Sequence, residues 1–240
     1  MPSPSVILNA LAPLVVIVVL VLIFFLMRPR RFYFVRHGET LLNAAHIKQG
    51  AEGGLSESGK RQAAAVGEML APFAIRAIIA SPYVRARETA GIINERLHTS
   101  IAYTPLLAER RNPSDIIGKD RDAPEVVRIV DQMDLAYHDD DFRYRDEENF
   151  MDLKKRARKC LRYLAWHGAL RNCVVTHHVF LKMLLSYMLY RENLHEKAYV
   201  KLSFFNTSDN GGISICEFHP WKFLSPTRGW EIISFNETPE

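Results

Sequence analysis

Arg36, His37 and Gly38 stand in direct succession, followed by Glu39-Thr40 and then by Asn43 three residues further on. Arginine offers a planar fork of donors that matches phosphate oxygens, and histidine is a nucleophile that can be neutral near physiological pH. Glycine lets the backbone approach a ligand closely. Alone the tripeptide is weak evidence, since average composition produces it in on the order of a few per cent of chains this long. Two other places strengthen it. Ser81-Pro82 precedes a segment opening Tyr83-Val84-Arg85-Ala86-Arg87-Glu88-Thr89-Ala90, which puts Arg85 near a helix N-terminus, a favourable place for an anion. Thr176-His177-His178 closes another apolar run. Singly, Arg85 reads as a solvated helix residue and His177 as a satisfied core histidine. Three strand ends that deliver cations and imidazoles to one edge read as a phosphoryl site.

The segments around these residues supply such strand ends. Arg31 to Val35 is β-branched and aromatic, as are Ile75 to Ala80, Ile101 to Leu106 and Cys173 to Thr176, and each reads as a strand. Helical periods run over Ser58 to Phe73, Tyr83 to Leu97, Ala123 to Tyr137, Asn149 to Trp166 and Val179 to Tyr190. Ile213 to Phe218 and Glu231 to Phe235 are expected as closing strands. Alternation of this kind predicts an α/β fold with a mostly parallel sheet, whose ligands bind beyond the carboxyl ends of the strands. Asn149 to Trp166 carries Lys154, Lys155, Arg156, Arg158, Lys159 and Arg162 opposite its apolar stripe, a basic face that reads as solvated, with attraction to anionic headgroups as the alternative.

Together the residues resemble the histidine phosphatase superfamily, also called phosphoglycerate mutase-like. Four segments carry the likeness: Val35 to Thr40 with Asn43; Leu55-Ser56-Glu57-Ser58-Gly59; Ser81-Pro82 with Arg85-Ala86 and Thr89-Ala90; and Val175-Thr176-His177. The resemblance implies a three-layer αβα sandwich. It also implies that Arg36, Arg85, His37 and His177 surround the phosphoryl group, that Asn43 belongs to the phosphate ligands, and that Glu109 in Leu106-Leu107-Ala108-Glu109 donates the proton. It implies no metal and no cofactor. This chain departs from the family twice. His178 stands where the family commonly has glycine; strand alternation puts His177 on the face of Cys173 and Val175 and His178 on the other, which favours His177. Arg110-Arg111-Asn112-Pro113 follows Glu109 in place of the Tyr-Gly pattern of the mutases, which argues for a phosphatase.

Composition sets the remaining bounds. The 31 Lys and Arg exceed the 27 Asp and Glu by a net charge of +4, and Arg28, Arg30, Arg31 and Arg36 cluster in one stretch, a balance too local for a nucleic-acid partner. Cys160, Cys173 and Cys216 are widely spaced, which predicts buried reduced thiols rather than a disulfide framework or a zinc site. From Val6 to Met27 every residue is apolar except Asn9, a helix of about 33 Å if continuous, long enough for a bilayer core. The arginines that follow predict a single-pass membrane anchor over 6–27, in contact with lipid, with residues 1–5 as a short tail outside. Residues 28–240 form the catalytic domain on the cytoplasmic side.

The expectation is therefore a tethered phosphomonoester hydrolase, working on a small molecule or a protein through a phosphohistidine on His37. A phosphoglycerate mutase-like phosphotransferase and a catalytically silent module that binds phosphorylated ligands are the alternatives. A P-loop with its lysine is absent, which disfavours transfer of nucleotide phosphates. Asp115 is the next candidate for the proton donor. Arg110, Arg111, Lys119, Arg121, Arg143 and Arg145, between the acid and the basic helix, are candidates to read a second anionic group.

Overall fold

The computed structural model describes residues 15–21, 23, 24, 26–136, 142–202, 205 and 207–239. The strands are β1 (Arg30–Arg36), β2 (Ala77–Ala80), β3 (Ser100–Tyr103), β4 (Arg171–Thr176), β5 (Ile213–Phe218) and β6 (Trp230–Glu237). The helices are α1 (Leu41–Ala44), α2 (Glu57–Leu70), α3 (Val84–Leu97), α4 (Pro124–Leu135), α5 (Phe150–His167), α6 (His178–Tyr190) and α7 (Glu196–Lys201). One mixed sheet runs in the order β3-β2-β4-β1-β5-β6. β3, β2, β4 and β1 are parallel, while β5 runs antiparallel to both β1 and β6.

Strand alternation explains why helices cover both faces. Phe32, Phe34 and Val174 point to one side, where they pack with Leu153, Leu161 and Leu164 of α5 and Phe180 and Leu184 of α6. Tyr33, Val35, Cys173 and Val175 point to the other, against Val66 and Leu70 of α2 and Ala86, Ala90 and Ile93 of α3. A sheet apolar on both faces is stable only as the middle layer of three. All three cysteines are free and buried, and burial pushes the Cys160 and Cys173 thiols up to about 12. A smaller cluster of Ile116, Val126, Ile129 and Met133 packs α4 onto the connection after β3.

Boundaries differ from the sequence reading where proline intervenes. β3 stops at Tyr103 rather than Leu106, because Pro105 cannot donate to a ladder and Thr104 caps a short 3-10 turn over Pro105–Leu107. The helix expected to Phe73 is α-helical to Leu70 and then tightens into a 3-10 turn, Ala71–Phe73, containing Pro72. α1 and α7 are too short to carry a readable period.

Among the described residues no helix is long and apolar enough to cross a membrane. Residues 15–21, 23, 24 and 26 are helical and their apolar side chains are exposed. The tail over 1–5 and residues 6–14 of the expected anchor lie outside the described residues, as do Tyr137 and the acidic Asp139, Asp140 and Asp141.

Candidate active site

The carboxyl ends of β1, β2 and β4 meet at a cavity of about 1040 Å³ whose lining includes Arg36, His37, Asn43, Arg85, Glu109 and His178. β1 ends at Arg36, and His37 follows with its N–H donating to the Thr176 carbonyl of β4 at 3.0 Å. Its side chain is 4% exposed. Nδ1 lies 2.7 Å from the Gly38 carbonyl oxygen, which can only accept, so Nδ1 carries the proton and Nε2 keeps its lone pair. Arg85 Nε donates to that Nε2 at 3.2 Å. Burial first, then the Arg85 and Arg36 charges, hold the His37 pKa well below the usual histidine range. The imidazole is therefore neutral at physiological pH, with the Nε2 lone pair that a base or nucleophile requires.

Two guanidiniums flank it, Arg85 buried and Arg36 half-buried. Arg85, near the start of α3, donates from Nη1 to the Gly50 carbonyl at 2.9 Å, and Thr89 one turn later donates to the Arg85 carbonyl at 2.7 Å. Arg36 donates from Nη1 to the Ser208 carbonyl, while its buried Nε has no partner among the described residues. Asn43 Oδ1 is likewise buried and unpartnered there, although its backbone N–H caps on Thr40 Oγ1 at 2.9 Å. Buried polar atoms left without partners are costly, and around a cavity they fit a polar ligand.

His177 and His178 take different positions. His177 is buried with its ring centroid 5.0 Å from that of His37, and its Nε2 lies 2.8 Å from Ser81 Oγ. It stands behind His37 rather than in the cavity lining. His178 lines the cavity, with Nδ1 2.7 Å from Ser208 Oγ. The alternation argument does not reach these residues, because β4 stops at Thr176, His177 is the N-cap of α6 and His178 is already helical. Burial, with His37 and Arg85 next in weight, holds His177 well below the usual histidine range, and burial with Arg36 lowers His178.

Glu109 sits at the N-terminus of α6. Its carboxylate accepts backbone N–H groups from Arg110 (2.8 Å), Phe180 (3.0 Å) and Val179 (3.2 Å). Arg156 of α5 holds this segment from behind: Nη1 donates to the Ala108 carbonyl at 2.6 Å while Nε and Nη2 grip Glu148, both at 2.6 Å. One residue of the basic face is thus a strut for the Glu109 loop. Asp115 pairs with Arg145 at 2.9 Å and is not among the cavity-lining residues.

Motif residues outside the cavity lining hold the His37 loop. Gly38 N–H donates to Thr89 Oγ1 at 3.1 Å, Glu39 N–H to Gln62 Oε1 at 2.8 Å, and Ser56 Oγ to Glu39 Oε1 at 2.7 Å. A Cβ on Gly38 would lie 2.4 Å from the Gly59 carbonyl oxygen, and one on Gly59 would lie 2.0 Å from that of Glu39. Both glycines are required because two backbones pass in contact. From the far end of the chain, Asn210 Nδ2 donates to the His37 carbonyl at 2.9 Å. Sequence reasoning missed Ser208, Asn210 and Gln62, and nothing local marks them.

Of the cations between the acid and α5, Arg110 and Arg121 line the cavity, and Arg110 is bound to Glu147 at 2.8 Å. Arg111 donates to the Asp146 carbonyl, and Arg143 and Arg145 pair with Asp152 and Asp115, both at 2.9 Å. Lys119 is not among the lining residues. Two lysines that do line the cavity, Lys48 and Lys182, went unremarked in the sequence. Lys182 is 8% exposed, its Nζ lies 4.3 Å from the Tyr199 ring centroid, and burial lowers its pKa. Burial, then Arg121 and Arg110, lowers Lys48 as well.

A family model for the histidine phosphatase superfamily, branch 1, matches residues 32–227. The probable phosphoglycerate mutase GpmB of Erwinia tasmaniensis is 44% identical over 78 residues, 32% of this chain and 36% of that one. The uncharacterized phosphatase PhoE of Bacillus subtilis is 43% identical over 77 residues, 32% of this chain and 40% of that one. The aligned stretch thus spans well under half the length of these curated relatives. Among solved structures, the native mycobacterial glucosyl-3-phosphoglycerate phosphatase superimposes with a TM-score of 0.67 at 25% identity, covering 88% of this chain and all of that one. The chain belongs to the histidine phosphatase superfamily.

Proposed function

We propose that this member of the histidine phosphatase superfamily hydrolyses phosphomonoesters through a phosphohistidine on His37, in a metal-independent reaction. The observation that carries the reading is the lone pair on Nε2 of His37, whose ring is held neutral by burial, beside the buried Arg85 and half-buried Arg36 guanidiniums. In the first step Nε2 attacks phosphorus in line and the bond to the ester oxygen breaks, with Glu109 protonating the departing oxygen. Arg85 exchanges its bond to Nε2 for a phosphoryl oxygen. Arg36 and Asn43 complete the set of groups that stabilise the charge spreading over the equatorial oxygens, and His177, packed 5.0 Å from His37 between ring centroids, holds the orientation of that imidazole. Water then attacks phosphorus, gives its proton to Glu109 and releases phosphate from His37.

The outer wall of the cavity supports a substrate with a second anionic group. Lys48 and Lys182 have no ion pair within 4.0 Å among the described residues, and burial disfavours their charge unless an anion joins them. The apolar composition of residues 6–27 and the arginines after it support a tether that keeps the domain at a membrane.

The test is a chemical trap. Wild-type protein quenched during turnover of a labelled phosphomonoester should carry acid-labile phosphoryl on His37, and His37→Ala should carry none and lose turnover. Turnover by folded His37→Ala above a small fraction of wild type would refute the assignment. Transfer of the label from a bisphosphorylated donor to a bound acceptor, in preference to water, would identify a mutase instead.

A further inference from the structure

The edge of the sheet opposite the cavity has a surface of its own. β1 enters the sheet at Arg30 and reaches the cavity at Arg36, so the two edges are roughly 20 Å apart. Register fixes what lies at the entry edge. Arg31 pairs with Arg171, Arg30 pairs with Phe218, and Phe218 pairs with Trp230, which places the 219–229 turn beside the start of β1. Arg76 joins the same level through its N–H bond to the Arg171 carbonyl at 2.9 Å. The last turn of α5 is tied there too, since Arg30 Nη1 donates to the Ala165 carbonyl at 2.6 Å.

This edge combines two features that folded surfaces normally keep apart. Large apolar side chains are open to solvent: Trp166 is 79% exposed, Trp221 46%, Phe223 60% and Leu224 82%. Around them Arg28, Arg31, Arg76 and Arg171 line a cleft together with Glu217, to which Arg31 is paired, while Arg228 and Lys222, the latter paired with Glu231, lie on the adjoining turn. All three tryptophans of the chain lie at this edge, Trp230 buried against Phe32 and Phe218 and the other two exposed. The described residues of the exposed apolar stretch 15–27 lead into it. Exposed Trp, Phe and Leu ringed by arginines have the composition of a surface that seats in the headgroup region of an anionic bilayer, the aromatics at the interface and the cations on the phosphates. A contiguous exposed apolar patch would otherwise be a liability in water.

We infer that this edge, built from the 219–229 turn, the end of α5 and the starts of β1, β2 and β4, docks the folded domain on an anionic lipid surface. Docking so directs the cavity away from the bilayer, toward water-borne substrate. The charges are spread over four separate chain segments, so the surface exists only in the fold and is distinct from any anchor over 6–27. It is also independent of the phosphatase reading.

The experiment uses the full chain reconstituted in vesicles of phosphatidylcholine, with or without about 30 mol% phosphatidylserine, containing lipid spin-labelled near the headgroup. Tryptophan quenching by the label should be at least about threefold stronger with phosphatidylserine. Arg76→Glu/Arg171→Glu, on two exposed side chains, should remove that difference while leaving the melting temperature unchanged. Leu224→Ser serves as a second variant and should weaken quenching without altering charge. Quenching that is equal in both vesicles, or unchanged in the charge-reversed protein, overturns the inference. A detergent-solubilised dimer that dissociates on Trp221→Ser, with no lipid quenching, would assign the face to a second copy and overturn it equally.

Discussion

Replacing Glu109 by Gln separates the proton-donor role proposed for this residue from its part in the scaffold. One carboxylate oxygen, Oε1, accepts from Arg110 and Phe180, and the other accepts from Val179 at 3.2 Å. A carboxamide can keep its oxygen in the first position, but its NH2 then faces the Val179 N–H, donor against donor. One bond is lost and one partly buried N–H is left unpaired, a cost of about 1–3 kcal/mol. In a domain of this size that lowers the melting temperature by roughly 2–12 °C. Kinetics report on the chemistry separately. An alkyl leaving group must be protonated as it departs, so Glu109→Gln should lower kcat/KM on an alkyl phosphate by about 10²–10⁴-fold. A p-nitrophenyl leaving group barely needs the proton, and its loss should stay within about 10-fold. Parallel measurements of kcat/KM on the two substrates, with a thermal melt on the same preparation, decide the matter. Equal losses on both esters would refute Glu109 as the acid and leave it a cap for α6.

Three further outcomes follow from the geometry. Gly59→Ala forces a Cβ to within 2.0 Å of the Glu39 carbonyl oxygen; it should cost about 1–3 kcal/mol by chemical denaturation and lower kcat on the order of 10²-fold by shifting the His37 loop, and wild-type activity would show that the loop tolerates the shift. His37 and His177 are both lowered by burial, so the unfolded chain binds protons that the native protein refuses. Stability should therefore be complete above pH 6.5 and fall as pH drops below it, by up to about 1.4 kcal/mol per unit for each histidine, and denaturation midpoints that stay flat from pH 7 to 5 would contradict this. Lys182→Met keeps the apolar stem and removes the charge, and should raise KM about 10-fold or more for a phosphomonoester with a second anion while changing p-nitrophenyl phosphate less than about twofold; equal changes on both would remove Lys182 from substrate recognition.

The parts of this protein that were legible in the linear chain are those whose physics is local. Side-chain period and punctuation mark β1, α2, β4 and α6 within a few residues, because burial on one face repeats at short range. Arg36, His37, Gly38 and Arg85 stand out because a strand end and a helix start each occupy a few consecutive residues. The partners of those groups lie elsewhere. Arg36 bonds Ser208, His37 bonds Asn210, and Arg156 supports the loop of Glu109, contacts made across 172, 173 and 48 residues of chain for the bonds to Ser208, Asn210 and Ala108. No spacing rule joins residues that far apart; packing of both helical layers on one sheet does. The same holds for His177 and His178, whose separation depends on where β4 ends and α6 begins, and for Lys48 and Lys182, which share one cavity only because the 47–49 segment and α6 both come to line it. Local sequence determined the candidate site groups and the strands that carry them. Tertiary structure alone decided which buried atoms are left unpaired and which edge of the sheet each charge occupies, because burial and register are properties of the assembled layers.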